Sequence, residues 1–306
     1  MLSPRISVLL VVLAGVLFGT AGTAQALGPD ATTPVGVGIL RIQVGGLAML
    51  VIAPFLGLSL RRLPSLWRRP AIVVAAICAA SYQPVFFAGV SQVGVAMGTL
   101  VAVGSEPAFA GLLGWIFLRH RPTLGWFLAT SVCVAGLVLR SLPGLSGELG
   151  PDAWLGLLMA LTAGFASAGY NTAAKRELDR GTSVVELSTG AFALGGLGLI
   201  PLLVREPLGW VAAPAGIGLV LYLGIATMAL ANALLTRGLH GLKPGPVATL
   251  MLMDPVVATI LGVVVLGETL DGQAALGVLL VCAGLLAQGL LAARETPDDE
   301  EPVPIL

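Results

Sequence analysis

The sequence predicts an all-α integral membrane protein, and three observations carry this prediction. Hydrophobic residues make up 57% of the 306 residues and charged residues only 10%, which is too apolar for a soluble globular protein. The apolar residues form about ten runs of roughly 20 residues, each long enough for a helix to cross the hydrocarbon core of a bilayer. These runs are apolar on every face, whereas the strands of a membrane β-barrel alternate in polarity.

We therefore expect ten transmembrane helices, joined by connections too short to hold a soluble domain. Their predicted ranges are residues 6–27, 34–58, 71–91, 95–117, 122–140, 153–174, 183–203, 214–236, 243–266 and 272–293. The tail at residues 295–306 is acidic and rich in proline, which predicts disorder.

The formal net charge is zero, but the lysine and arginine residues segregate when ten helices are threaded through a bilayer. Apart from Arg41, which lies within a helix, only Arg140 and Arg205 fall opposite the N-terminus. The positive-inside rule therefore predicts that both termini are cytoplasmic. The residues on the N-terminal side are Arg5, Arg61, Arg62, Arg68, Arg69, Arg119, Arg121, Lys175, Arg176, Arg180, Arg237, Lys243 and Arg294.

The N-terminus also fits a second interpretation. Arg5, the apolar stretch after it and the "AQA" at residues 24–26 are typical of a cleavable signal peptide. The apolar stretch is long for such a signal, and it has a counterpart later in the chain, so a membrane helix is the preferred interpretation.

The chain contains an internal duplication. Glu106-Pro107 aligns with Asp254-Pro255, and the register then holds without a gap for about fifty residues. Each half carries five predicted helices, an odd number, so the second half enters the membrane in the opposite orientation. The sequence therefore predicts two inverted five-helix repeats, at residues 1–147 and 148–294.

The EamA repeat of the drug/metabolite transporter superfamily resembles two stretches of the sequence, "GTLVAVGSEPAFAGLLGWIFLRHRPTLGWFLATSVCVAGLVL" and "GPVATLMLMDPVVATILGVVVLGETLDGQAALGVLLVCAGLLAQ". The most specific elements are the mid-helix proline, the "LGE" at residues 266–268 and the glycine-rich helix that follows. The first repeat has His120 where the second has Glu268, so the acidic residue at this helix end is present only once. The resemblance implies ten helices as two inverted repeats, a bacterial inner membrane and export of amino acids or other small metabolites.

The two acid-proline pairs have two interpretations. An ionised carboxylate near the middle of a bilayer costs about 2.5 to 3.5 kcal/mol, so Glu106 and Asp254 need a partner, a cavity or a proton. Pro107 and Pro255 break or kink their helices, and the acids could then cap the second half of each helix. Alternatively the acids line a translocation path, bind a substrate ammonium group, or exchange protons for substrate.

Arg41 is the only basic residue well inside an apolar run. Glu106 or Asp254 could neutralise it, or it could pair with a substrate carboxylate, for which its planar fork is suited. In a third interpretation its side chain extends along the helix to the membrane interface.

Uncharged polar residues occur at corresponding places in the two halves, which suggests one shared cavity. Hydrogen bonds to a neighbouring helix would explain them equally well. The predicted site residues of this kind are Tyr82 and Gln83 ahead of the helix-breaking Pro84, Tyr170, Asn171 and Asn232.

These observations favour a secondary transporter, with export of small organic metabolites by alternating access as the preferred function. The alternatives are an importer or another solute permease of the same fold, a membrane scaffold without transport activity, and an intramembrane enzyme. The sequence has no HExxH motif, no nucleophile-base pair at membrane depth and no GxxxxGK[ST] motif, and it predicts no cofactor, metal site or nucleic-acid partner. It leaves the substrate, the coupling ion (protons are one candidate) and the oligomeric state, a homodimer included, open.

Overall fold

The computed structural model describes residues 4–118, 123–143, 151–239, 250–251, 253–269 and 272–295. Regular structure in these ranges is entirely helical. The α-helices are α1 (Pro4–Gly19), α2 (Ala21–Ala26), α3 (Pro34–Ile52), α4 (Leu63–Leu66), α5 (Pro70–Val93), α6 (Val95–Leu118), α7 (Leu124–Pro143), α8 (Pro151–Leu178), α9 (Val184–Gly198), α10 (Ile200–Leu203), α11 (Pro214–Leu221), α12 (Ala231–Leu239), α13 (Met253–Val264) and α14 (Gly272–Glu295). A π-helix, Tyr222–Leu230, joins α11 to α12. His120, His240, the predicted start of the ninth span at 243–249 and the tail from 296 lie outside the described residues.

The described residues form a multi-pass membrane protein. Six helical segments are long and apolar enough to cross a bilayer: Arg5–Ala26, Pro34–Leu56, Pro70–Val93, Val95–Phe117, Ala153–Leu178 and Pro214–Leu235. Four shorter apolar helices accompany them: Leu124–Gly136, Val184–Gly198, Met253–Val264 and Ala275–Ala287. Large apolar side chains lie on the outer surface, with Phe55 82% and Leu124 76% exposed, as expected of a surface that faces lipid.

Local sequence signals set several helix starts. Thr33 caps α3, since its hydroxyl accepts a hydrogen bond from Gly36 N at 3.2 Å and Pro34 occupies the first turn. Ser183 and Glu186 form a capping box at the start of α9. These helices therefore begin where the sequence provides acceptors for their free amides.

Pro84 and Pro107 were predicted to break or kink their helices, and neither residue interrupts its helix. Helix α5 continues through Pro84 and α6 continues through Pro107. A proline inside a helix removes one backbone hydrogen bond, but close packing against neighbouring helices holds the segment in helical geometry. At Pro84 this packing is backbone to backbone, because a Cβ atom on Gly38 would lie 2.6 Å from the Gln83 carbonyl oxygen. Pro255, by contrast, lies in the first turn of α13.

Helices from the two sequence halves are interleaved. Helix α8 packs against α5 and α6, and α1 packs against α12 and α13. In the alignment that matches Glu106 with Asp254, these are corresponding pairs of helices. The pairs α3 with α9 and α7 with α14 each join a helix to its own counterpart.

The α7–α14 contact illustrates this correspondence at single residues. A Cβ atom on Gly136 would lie 2.7 Å from the Gly277 carbonyl oxygen, and one on Gly284 would lie 2.8 Å from the Ala129 carbonyl oxygen. Gly136 aligns with Gly284, and Ala129 aligns with Gly277. Glycine at both positions lets the two backbones approach to contact distance.

Candidate functional site

Two groups of polar side chains lie within the apolar helices, and each draws on both halves of the sequence. The first, called the Arg41 cluster, consists of Arg41, Gln83, Phe87 and Thr227. The second, called the Glu106 cluster, consists of Glu106, Ser167 and Asn171. Polar and ionisable groups are costly inside a membrane and mark functional sites by default.

Helix α3 holds Arg41 in the bundle interior, where the residue is only 5% exposed. Its Nη1 donates to Gln83 Oε1 of α5 at 3.0 Å, and its Nη2 donates to the Thr227 carbonyl oxygen at 3.0 Å. The guanidinium carbon lies 5.4 Å from the centre of the Phe87 ring, a cation–π contact. The side chain is thus directed to Gln83 and Thr227 rather than along its helix to the interface.

Thr227 belongs to the π-helix Tyr222–Leu230. A π-helix forms i→i+5 hydrogen bonds, is rare, and is frequently found at functional sites. The Thr227 hydroxyl donates to the Leu223 carbonyl oxygen at 2.8 Å, while its own carbonyl oxygen accepts from Arg41. The irregular turn therefore supplies a backbone acceptor to a buried cation.

Arg41 has no carboxylate partner among the described residues. The ion pairs within 4.0 Å in this part of the chain are Arg62–Glu186, Arg69–Glu177, Lys175–Asp179 and Arg180–Glu177, all at helix ends. The Nε atom of Arg41 is buried and lacks a hydrogen-bond partner. The cluster thus holds a guanidinium with neutral ligands only.

The Glu106 cluster joins α6 to α8. Ser167 Oγ donates to Glu106 Oε2 at 2.7 Å, and Asn171 Nδ2 donates to Glu106 Oε1 at 2.6 Å. Both donors lie on one face of α8, four residues apart. Both carboxylate oxygens of Glu106 thus bind side chains of a neighbouring helix, and the helix around Glu106 is uninterrupted.

Asp254 differs from its counterpart. It lies in the first turn of α13, and its carboxylate makes no hydrogen bond or ion pair with any residue in the described ranges. The stretch of α1 that lies beside Asp254, residues 15–19, carries no side chain that could donate a hydrogen bond. The two acids, equivalent by alignment, therefore have different surroundings.

Three further predicted site residues make more ordinary contacts. Tyr82 stacks on Phe86 with ring centres 5.3 Å apart, and Tyr170 stacks on Phe192 at 5.8 Å. Asn232 donates to the Met228 carbonyl oxygen of its own helical segment at 2.8 Å. The structure thus brings Arg41 together with Gln83, and Glu106 together with Asn171, but it joins none of these three to either cluster by a hydrogen bond.

Glu268 is a residue whose role the sequence did not predict. Its Oε1 accepts from Val95 N at 2.5 Å and its Oε2 accepts from Ala96 N at 2.9 Å, so it caps the start of α6 from the other half of the chain. Gly94, the single residue between α5 and α6, has a φ of 86° and leaves room for the carboxylate. The sequence signal for this contact is an α6 start without a Ser, Thr, Asp or Asn cap of its own.

A cavity of about 350 Å³ opens beside this cap. Its polar lining includes Gln25, Asp30, Thr32, Ser91 and Glu268, and none of the described residues that line it is a lysine or arginine. Gln25 Nε2 donates to the Phe87 carbonyl oxygen at 3.3 Å, while Gln25 Oε1 is buried without a partner. Through Gln25 and Phe87 the cavity borders the Arg41 cluster.

Comparisons with known proteins give a consistent result. The profile of the EamA-like transporter family matches residues 5–142 and again residues 154–288. The chain is similar to the "Uncharacterized transporter YwfM" of Bacillus subtilis (strain 168), with 38% identity over 91% of this chain and 92% of the relative.

A second relative is the "Probable terminal-alkyne amino-acid exporter" of Streptantibioticus cattleyicolor, with 28% identity over 90% of each chain. A chain in a solved crystal structure has a TM-score of 0.65 and 21% identity, and the match covers 95% of this chain and 98% of that one. This last likeness indicates a common fold.

Proposed function

Because the chain belongs to the EamA-like transporter family, we propose that it is a secondary active transporter that exports small organic metabolites such as amino acids. The Arg41 cluster is the observation that carries this proposal. A guanidinium stays charged at any physiological pH, and its burial in apolar helices is costly unless it serves a ligand or pathway. Acceptors on α5, in the first half, and on the π-helix, in the second, hold this α3 residue between the halves of the chain.

Alternating access would follow from two inverted five-helix repeats, at residues 1–147 and 148–294. Three observations support this architecture. The family profile matches the chain twice, once in each half. The six long and four shorter apolar helices sum to the number expected. Corresponding helices make corresponding contacts, as at Gly136 and Gly284.

The charges suit a zwitterionic substrate. Arg41 provides a positive group, while Glu106 and Asp254 provide negative groups within the same apolar helices. A relative at 28% identity is named as a probable amino-acid exporter, which supports the same substrate class. Asp254, whose carboxylate is without a partner in the described residues, is the better candidate to carry a coupling proton.

The distribution of lysine and arginine residues predicts how the protein is oriented in the cell membrane. With both termini in the cytoplasm of a bacterium, the ion pairs of Arg62, Arg69, Lys175 and Arg180 lie at the cytoplasmic face of the inner membrane. The cavity and the Glu268 cap then lie at the outer face.

Counterflow of radiolabelled amino acids in proteoliposomes tests the function. We expect saturable uptake by the wild-type protein and reduced uptake after Arg41→Gln, Glu106→Gln or Asp254→Asn. Asp179→Asn, at an exposed pair with Lys175, is the matched control. The proposal fails if the wild-type protein moves no member of the amino-acid panel, and the site assignment fails if all three variants transport normally.

Labelling from either side tests the access mechanism. Single cysteines replace Tyr82 and Asn232 in a protein whose Cys78, Cys133 and Cys282 are changed to alanine. We expect each cysteine to react with a membrane-impermeant thiol reagent from both sides, in proportions that change when substrate is added. Reaction from one side only, with and without substrate, would exclude alternating access through this region.

A further inference from the structure

We infer that Arg41 binds the carboxylate group of the transported metabolite, and that Asp254 supplies the opposing charge on the same path. This inference rests on the proposed function and adds the chemical group by which the substrate is recognised. It assigns different tasks to the two halves, because α9, the counterpart of α3, contains no lysine or arginine.

Counting hydrogen-bond donors gives the first argument. A guanidinium has five N–H groups and no acceptor. In the described residues Arg41 uses one N–H on Nη1 and one on Nη2, and Nε has no partner. Three N–H groups thus remain, enough for a carboxylate to bind in a bidentate manner.

Charge gives the second argument. The two ligands of Arg41 are a side-chain amide oxygen and a backbone carbonyl oxygen, and both are neutral. The Phe87 ring contributes only a quadrupole. A buried cation without an anion is unfavourable, so a transported anion would gain from the pairing that the protein itself does not provide.

The position of Asp254 gives the third argument. Ala258, one turn after Asp254 on α13, belongs to the same buried apolar cluster as Phe87, yet no oxygen of a described carboxylate lies within 4.0 Å of the Arg41 guanidinium. The Asp254 carboxylate has no hydrogen-bond donor among the described residues, unlike that of Glu106. Because the Arg41 guanidinium and the Asp254 carboxylate do not pair with each other, both are available to a zwitterionic ligand.

Access to Arg41 is the remaining requirement. Gln25 lines the cavity of about 350 Å³ and donates to the Phe87 carbonyl oxygen. Phe87 in turn lies against the guanidinium. Gln25 and Phe87 thus connect the lining of the cavity to the Arg41 cluster, and access to Arg41 from this side would require both residues to rearrange.

A selectivity ratio tests this inference independently of how much protein folds. Counterflow is measured at pH 6.5 for a set of L-amino acids, each paired with its own α-amide. The amide keeps the side chain and the ammonium group but lacks the negative charge. We expect the wild-type protein to prefer the acids about tenfold or more, and Arg41→Gln to lose most of that preference.

Two further variants complete the test. Arg41→Lys keeps the charge but not the planar fork, so its ratio should fall between those of the wild-type protein and Arg41→Gln. Arg61→Gln removes an exposed arginine and should leave the ratio unchanged. A wild-type protein that transports acids and amides equally, or an Arg41→Gln variant that keeps the wild-type ratio, overturns the inference while the proposed function stands. Absence of any wild-type flux removes both.

Discussion

Removal of the Glu268 carboxylate should weaken the junction between the two halves of the chain by an amount that the structure allows us to work out. Glu268 accepts hydrogen bonds from Val95 N and Ala96 N, at 2.5 and 2.9 Å. These amides are among the four at the start of α6 that have no partner within the helix, and their positive end favours an anion.

The expected loss of stability can be derived by replacing these two hydrogen bonds with hydrogen bonds to water. Loss of an N-cap side chain costs about 1 to 2 kcal/mol when the exposed amides can be hydrated. Glu268 lines the cavity, so water can reach Val95 N and Ala96 N once the carboxylate is gone. We therefore expect Glu268→Ala to lower the free energy of unfolding by about 2 kcal/mol and Glu268→Gln, which keeps one acceptor, by about 1 kcal/mol.

Denaturant titration in detergent micelles, followed by circular dichroism, measures this change. Asp179→Asn serves as the control, because it removes one carboxylate from an exposed i,i+4 pair worth only about 0.3 to 0.5 kcal/mol. Equal stability of Glu268→Ala and Asp179→Asn would refute the reasoning, as would a Glu268→Gln variant less stable than Glu268→Ala.

Other contacts give predictions of the same kind. Gly38→Val should lower the free energy of unfolding by about 3 kcal/mol, because its side chain meets the α5 backbone; a loss below about 1 kcal/mol in the same titration would contradict the close approach. Ser167→Ala should slow counterflow by leaving one Glu106 oxygen without its donor, whereas Ser167→Thr should keep the rate; equal rates in both variants would exclude this role. Arg69→Gln should lower the free energy of unfolding by about 2 kcal/mol, because the Glu177 side chain is 0% exposed and would lose one of its donors. Wild-type stability of this variant would show that the remaining donors are sufficient for Glu177.

Features that depend on a local sequence pattern, such as the apolar helices, could be predicted from the sequence. Features that depend on a contact with another helix could not. Apolar runs predicted the helices, and the position of Arg41 within one of them made a buried side chain one of its possible arrangements. Pro84 and Pro107 were predicted to break or kink their helices because local rules count only the lost hydrogen bond. The helices continue through both residues, and at Pro84 the packing of Gly38 holds the segment together.

The difference between the two acids also escaped prediction from the acid-proline pattern alone. Glu106 and Asp254 align, and the acid-proline pattern does not distinguish between them. Their surroundings differ because the neighbouring helix carries Ser167 and Asn171 in one case and not in the other. Such an asymmetry becomes visible only when both the alignment and the helix contacts are known.

The connection between α5 and α6 has a mechanical consequence. Only Gly94 separates two helices of 24 residues each, so the Cα atoms of Val93 and Val95 can be no farther apart than about 7 Å. Because this one-residue connection cannot lengthen, an axial displacement of one helix must displace the end of the other helix as well. Gln83 lies on α5 and Glu106 on α6. A force that moves either helix along its axis, applied at either side chain, is therefore transmitted to the other.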